Sequence, residues 1–181
     1  VSIAAGPVGA GAGSDITSDF VAYSRSKGVY GGLNLEGSVV AVADDCLEEI
    51  VLSGRGPSFS AGGDLLEFGS HPDPVTAHAV RSARNAGRLL SHCRNRVRAE
   101  VHGACIGAGA ELSAFAAFVV AKPDTYFQLP ELSMGLVPGA GGTVSIPRRI
   151  GRQRAAYMAL TGVRVDAQTA LEWGLVDSVA P

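Results

Sequence analysis

Residues 102–112 read "HGACIGAGAEL". Three glycines, at 103, 107 and 109, alternate with small side chains and run into a single carboxylate, Glu111. Glycine and alanine let a main chain approach a neighbour closely. The stretch before it, "RVRAEV" (96–101), is strand-like, and the one it opens, "GAELSAFAAF" (109–118), is apolar nearly all round, as a buried helix is. Strand, small-residue loop and buried helix in succession predict an α/β unit. Where such a helix begins, N–H groups are unpaired and carry partial positive charge. A carboxylate beside them suits proton chemistry on whatever the backbone holds. Taken alone, the run reads first as a tight turn or close packing, and Glu111 as a charge at a helix start.

The same alternation extends outward. "EEIVLSG" (48–54) is a short apolar strand stopped by Gly54. "HPDPVTAHAVRSARNAGRLLSHC" (71–93) predicts one helix, capped by Asp73 with Pro74 at its first position. Val75, Ala79, Ala83, Ala86 and Leu90 give that helix an apolar stripe. "VVAKPDTYFQLPE" (119–131) predicts two short strands about a Pro-Asp turn. "RRIGRQRAAYMALTG" (148–162) predicts a helix stopped by Gly162, and "VDAQTALEWG" (165–174) a short one between Asp166 and Gly174. "LVDSVA" (175–180) closes with a strand. An α/β fold with a largely parallel sheet follows. No internal sequence repeat is evident.

The 181 residues suffice for one domain with a real core, and the composition, 46% hydrophobic and 18% charged, is that of a globular chain. A net charge of −2 leaves no footprint for nucleic acid. Arg88, Arg94, Arg96 and Arg98 read as the polar face and exit of a helix. Cys46, Cys93 and Cys105 have neither zinc nor disulfide spacing and imply free thiols in a reducing cytoplasm. His71, His78, His92 and His102 form no ligand pattern, so no metal is expected. The opening "VSIAAGPVGAGAG" lacks the basic start of a secretory signal and any initiator Met, so the chain is expected to be a fragment.

Two further pieces repeat the design of 102–112. "RGPSFSAGGDL" (55–65) follows a strand and ends in small residues and Asp64. "LPELSMGLVPGAGGT" (129–143) holds Glu131 and then a glycine-rich turn. Amides from two such loops can converge on one oxygen and stabilise charge that develops there. Paired glutamates can hold a water and pass protons in opposite senses.

The order and spacing of "IVLSGRGPSFSAGGDL", "VHGACIGAGAEL", "FQLPELSMGLVPGAGGT", "IPRRIGRQRAAYMALTG" and "DAQTALEWGLVDSV" resemble the crotonase superfamily, the enoyl-CoA hydratase/isomerase family, over about 46–181. The resemblance implies a crotonase-like ββα spiral core, truncated at both ends. It implies a thioester oxygen held by the N–H groups of Gly63 and Ala108. It puts the two hydratase carboxylates at Glu111, which activates water for attack at Cβ, and at Glu131, which handles the proton at Cα. Ser60, Ala61, Gly63 and Asp64 would lie along coenzyme A, and Gly139, Gly141 and Gly142 would let their loop pack beneath Glu131. The implied activity is hydration of a 2-enoyl-CoA in fatty acid metabolism. Coenzyme A enters as part of the substrate, with no prosthetic group. A cytoplasmic homotrimer or hexamer is expected, with no membrane or nucleic-acid partner. The alternatives are double-bond isomerisation or other enolate chemistry, a non-catalytic remnant of the fold, and a lipid-binding module.

The last alternative arises from residues 1–45, which carry two basic and five acidic residues. "AAGPVGAGAG" and "DFVAYSRSKGVYGGLNLEGSVVAV" resemble part of the SYLF lipid-binding domain, too short to be an independent domain. A join of two families near 45–46 is implied. "SVVAVADD" (38–45) reads as a strand that could serve as a substitute edge for the missing start of the crotonase core.

Overall fold

The computed structural model describes residues 39–40, 50–65, 73–83 and 85–181. The expectations for 1–38, Cys46 and His71 lie outside the described residues. The strands are β1 (Val39–Val40), β2 (Ile50–Ser53), β3 (Val97–Val101), β4 (Ala104–Ile106), β5 (Phe118–Ala121), β6 (Tyr126–Gln128), β7 (Val165–Asp166) and β8 (Ser178–Val179). The helices are α1 (Pro74–Ala83), α2 (Ala86–Cys93), α3 (Ala108–Ser113), α4 (Gly142–Thr161) and α5 (Ala167–Trp173).

Strands with every second side chain apolar bury one face. Ile50 and Leu52, Val97, Ala99 and Val101, and Val119 and Ala121 all turn into one core. Their strands pair in register, Leu52 beside Ala99 and Ala99 beside Val119. The result is a five-stranded sheet in the order β1-β2-β3-β5-β8. β2, β3, β5 and β8 are mutually parallel, as the alternation of elements predicts. β1 pairs antiparallel with β2, so part of "SVVAVADD" does form an edge strand.

A second sheet, β4-β6-β7, lies beside the first in the chain's path. β4 and β6 are parallel, and an isolated parallel bridge joins Ser60 to Cys105 on the other side of β4. Sheet one, sheet two, helix is therefore the recurring order. It runs β3, β4, α3, and then β5, β6, α4; β2 reaches the Ser60 bridge before α1 and α2. The ββα unit recurs although its sequence does not. The core between the layers is closed by Phe59, Phe127, Leu112, Ile146 and Met158, each almost wholly buried. Burial of each stabilises the fold by roughly 1.5–3 kcal/mol.

The helix expected over 109–118 stops at Ser113, and Phe118 begins β5. Three further expectations need correction. The helix over 71–93 is broken: Asn85 has extended backbone and its side chain accepts from Arg88 N–H at 2.8 Å, starting a new helix. The local hydrogen bond competes with continuation of α1. The apolar stripe fails with it: Val75 is 78% exposed and Ala79 is exposed, whereas Leu90, on α2, is buried. The cap at Asp73 is present, accepting from Thr76 N–H at 2.7 Å. Second, β4 lies inside the glycine-rich stretch read as a loop, since three residues can pair on both edges and need no alternation. Third, α4 starts at Gly142, well before 148, and bends at Gly151, whose φ is +78°.

The short helix α5 falls where the sequence puts it, with Asp166 accepting from Thr169 N–H at 2.7 Å and Gly174 in the left-handed region at its end. That bond holds the Asp166 carboxyl below its usual range.

Candidate active site

Parallel neighbours have their chain exits at the same edge. Ser60, β4 and β6 are successive parallel neighbours in the second sheet. Their exits, 61–64, 107–111 and 129–131, therefore lie side by side. These are the three pieces that share small residues and carboxylates. Backbone bonds tie them together: Ser60 N–H donates to Ala104 O at 3.0 Å, Ile106 N–H to Ser60 O at 3.0 Å, and Gly107 N–H to Gln128 O at 2.9 Å.

Gly107 shows why the run needs glycine. Its φ is +50°, and a Cβ there would sit 2.7 Å from Glu131 Oε1 and 3.9 Å from Gly62 Cα. Exits one, two and three thus meet within a few ångströms of one another. Ala108 is the first residue of α3, a position whose N–H has no partner within a helix. Gly63 is half-buried in a bend beside Gly62, whose N–H donates to Ser60 Oγ at 3.2 Å. Ser60 itself is buried, and a Cβ on Gly109 would meet its Cβ at 2.7 Å. Ala61 is exposed and Asp64 half-buried.

Both glutamates are buried, Glu111 to 2% exposure and Glu131 to 8%. Glu111 Oε2 accepts from Gly142 N–H at 2.7 Å, at the start of the 20-residue α4. Burial pushes its carboxyl up to about 7, the Gly142 N–H opposes that, and the charge of Glu131 adds to it. Glu131 opens a 3-10 turn, Glu131–Met134. Burial raises its carboxyl too, against the pull of its own backbone N–H and of Glu111. Its Oε2 is buried without a hydrogen-bond partner among the described residues. A buried carboxylate oxygen left unpaired costs on the order of 1–3 kcal/mol or more, which is tolerated where a ligand or water is to be met.

The glycine-rich loop after Glu131 packs elsewhere than expected. A Cβ on Gly142 would sit 2.5 Å from Glu111 Cγ, and one on Gly141 2.7 Å from Phe115, whereas one on Gly139 meets only Val137 O at 3.6 Å. The loop lies against Glu111, and the close neighbour of Glu131 is Gly107. Sequence order suggested the reverse, but α3 and α4 pack on each other and bring 142 back to 111.

Two residues at this site went unread in the sequence. Ser145, buried on α4, donates to the Glu111 carbonyl at 2.7 Å. Arg149 donates to Ala114 O at 3.1 Å and Ala116 O at 2.7 Å, and pairs with Asp177 at 3.1 Å. A lone serine and one arginine among several carry no signal until their neighbours are known. Cys105, by contrast, is inert, its thiol pushed up to about 12 by burial. His92 bonds the carbonyl of Arg88 one turn back at 2.7 Å, and His102 bonds that of Gly56, 46 positions away, at 3.0 Å.

The family model for enoyl-CoA hydratase/isomerase matches residues 37–181. That for Las17-binding protein actin regulator matches 1–50, in line with the resemblance of 1–45 to part of a SYLF domain. The structure is similar to an enoyl-CoA hydratase from Thermoplasma volcanium, with 36% identity and a TM-score of 0.69 over 76% of this chain and 55% of that one. It is similar to an enoyl-CoA hydratase from Bacillus anthracis, with 35% identity and a TM-score of 0.68 over 76% and 54%. An enoyl-CoA hydratase/isomerase from Marinobacter aquaeolei gives 30% identity and 0.62 over 72% and 52%. The chain spans about half the length of these solved structures. Its fold is the crotonase fold, and the chain belongs to the enoyl-CoA hydratase/isomerase family.

Proposed function

We propose that the chain carries the chemistry of an enoyl-CoA hydratase. The observation behind this reading is the pair of buried glutamates at adjacent strand exits, one of them with an oxygen that meets no donor among the described residues. A carboxyl that burial pushes up to about 7 is suited both to take and to return a proton near neutral pH. In this reading Glu111 draws a proton from water as it attacks Cβ of a 2-enoyl thioester. Electrons move onto the carbonyl oxygen, which the Gly63 and Ala108 N–H groups hold. Glu131 then supplies the proton to Cα. The two carboxyls titrate as a pair, so the division of labour belongs to the pair. Each amide lowers the barrier by roughly 3 kcal/mol, about a hundredfold in rate.

Addition of water changes no oxidation state, so the reading asks for neither a metal nor a redox group. Coenzyme A is then the carrier of the acyl group. Ala61, Gly63 and Asp64 line its path, with Ser60 shaping the loop from beneath. Free thiols at Cys93 and Cys105 suit a reducing cytoplasm. Among the described residues no helix is long and apolar enough to cross a membrane.

The test is incubation with a short 2-enoyl-CoA, followed by loss of the conjugated thioester absorbance. Hydration should be abolished by Glu111→Gln and by Glu131→Gln. Conversion of a 3-enoyl-CoA with no hydration of the 2-enoyl compound would replace this reading with isomerisation. Inertness toward both, with no thermal shift on adding acyl-CoA, would leave only the fold.

A further inference from the structure

One face of α4 contacts the short helix that bears Glu111, and the turn that follows it, at three points. Gly142 N–H reaches the Glu111 carboxylate at 2.7 Å, Ser145 Oγ the Glu111 carbonyl at 2.7 Å, and Arg149 Nε and Nη2 the carbonyls of Ala114 and Ala116 at 3.1 and 2.7 Å. Positions 142, 145 and 149 fall on one side of a helix. α3 has only six residues, too few to hold itself, and every one is buried. The chain leaves it through a turn whose carbonyls at Ala114 and Ala116 both accept from Arg149, and a planar guanidinium fork is suited to capture two at once. The fork is itself fixed. Arg149 Nη1 bonds Leu175 O at 3.2 Å and Asp177 Oδ2 at 3.1 Å, and the same Asp177 oxygen accepts from Val119 N–H at 2.7 Å.

We infer that Ser145 and Arg149 are positioning residues for Glu111, α4 acting as the clamp that sets where its carboxyl points. The inference rests on the reading of Glu111 as the water-activating group. Ser145 fixes the backbone at Glu111 itself, and Arg149 anchors the far end of α3 to the β5–β8 edge. The titratable and charged groups on the elements packed against α3 are Arg149, Tyr157 and the exposed Arg148, Arg152 and Arg154 on α4, Cys93 and the exposed Arg88 and His92 on α2, and Cys105 on β4, and Glu131 on its 3-10 turn faces the Glu111 carboxyl. Of these, Glu131 is the one that acts on the Glu111 carboxyl directly.

The experiment is a carbon-13 titration of the glutamate carboxyls in the full chain, with Glu111 assigned by its absence in Glu111→Gln, alongside hydration of a short 2-enoyl-CoA. Ser145→Ala should let the Glu111 carboxyl reach water, so its midpoint should fall by about half a unit or more toward the ordinary range. In the same variant kcat should drop about tenfold with KM within about twofold, as expected when a reacting group is misplaced and binding is not. Arg149→Met should do the same, and Arg149→Lys should recover part of the loss. Ser145→Ala carries the test should Arg149→Met fail to fold. The control is Thr125→Val, which removes another buried hydroxyl that bonds a carbonyl, that of Val101 at 3.2 Å. If Ser145→Ala moves the Glu111 midpoint no further than Thr125→Val does, the inference is overturned. Should the parent chain hydrate nothing, the function above fails while the titration alone still decides whether α4 positions Glu111.

Discussion

Glu111 is costly to the fold. In the unfolded chain its carboxyl has the ordinary value of 4.5, and in the folded chain burial lifts it to about 7. The folded state therefore holds the proton more tightly. The stability that this proton confers is complete below about pH 4.5 and is lost as pH rises through 7. Glu111→Gln keeps an oxygen for the Gly142 N–H and carries no charge. Urea unfolding should find it about as stable as the parent at pH 5 and more stable by about 1–3 kcal/mol at pH 8. Equal stability at pH 8 would mean that the carboxyl is not strained by burial. A second residue-scale expectation concerns a backbone atom. Ala108 is at the first position of α3, where proline is tolerated, so Ala108→Pro deletes one N–H and keeps the helix start. Hydration should fall by about a hundredfold or more, with circular dichroism unchanged. Undiminished turnover in that variant would remove Ala108 from the proposed oxyanion site. Both glutamates were legible as candidates, because a carboxylate between small or apolar neighbours is conspicuous. Their partners were not: Gly142 and Ser145 lie 31 and 34 positions from Glu111.

At the scale of elements, local chemistry was legible where a side chain bonds its own backbone. Asp73 and Asp166 each start a helix as read, and Gly162 and Gly174 each end one. Asn85 is the same signal overlooked, since apolar spacing across it continued unbroken and suggested one helix. Asn85→Ala should lower stability by about 1 kcal/mol in thermal unfolding, with Asn85→Asp close to the parent. An unchanged Asn85→Ala would mean that α2 starts there through packing, and that the cap contributes little. The strand β4 was hidden for a different reason. Its three residues are flanked by Gly103 and Gly107, and their strand character comes from pairing with β6 on one edge and Ser60 on the other.

Across the whole molecule, apolar side chains remain exposed along 132–144: Leu132, Met134, Leu136, Val137 and Val144. Single exposed hydrophobics are ordinary, whereas a run of them beside a site is a candidate contact. The expected homo-oligomer would cover such a run. Sedimentation velocity should then give a mass above that of one chain, and Leu132→Lys with Val137→Lys should reduce it to the monomer. A parent that sediments as a monomer at all concentrations would dispose of the trimer and hexamer alike.

Alternating strands and helices, the caps at their ends and the two carboxylates near small-residue runs were determined by the sequence alone. Each depends on residues a few positions apart, and the 3.6- and 2-residue periods act at that range. Only the tertiary structure decided that three loops emerge side by side, that the glycine-rich turn rests on Glu111, and that Ser145 and Arg149 hold its helix. Those contacts join residues tens of positions apart, and their geometry exists only once the parallel sheets set the order of their neighbours.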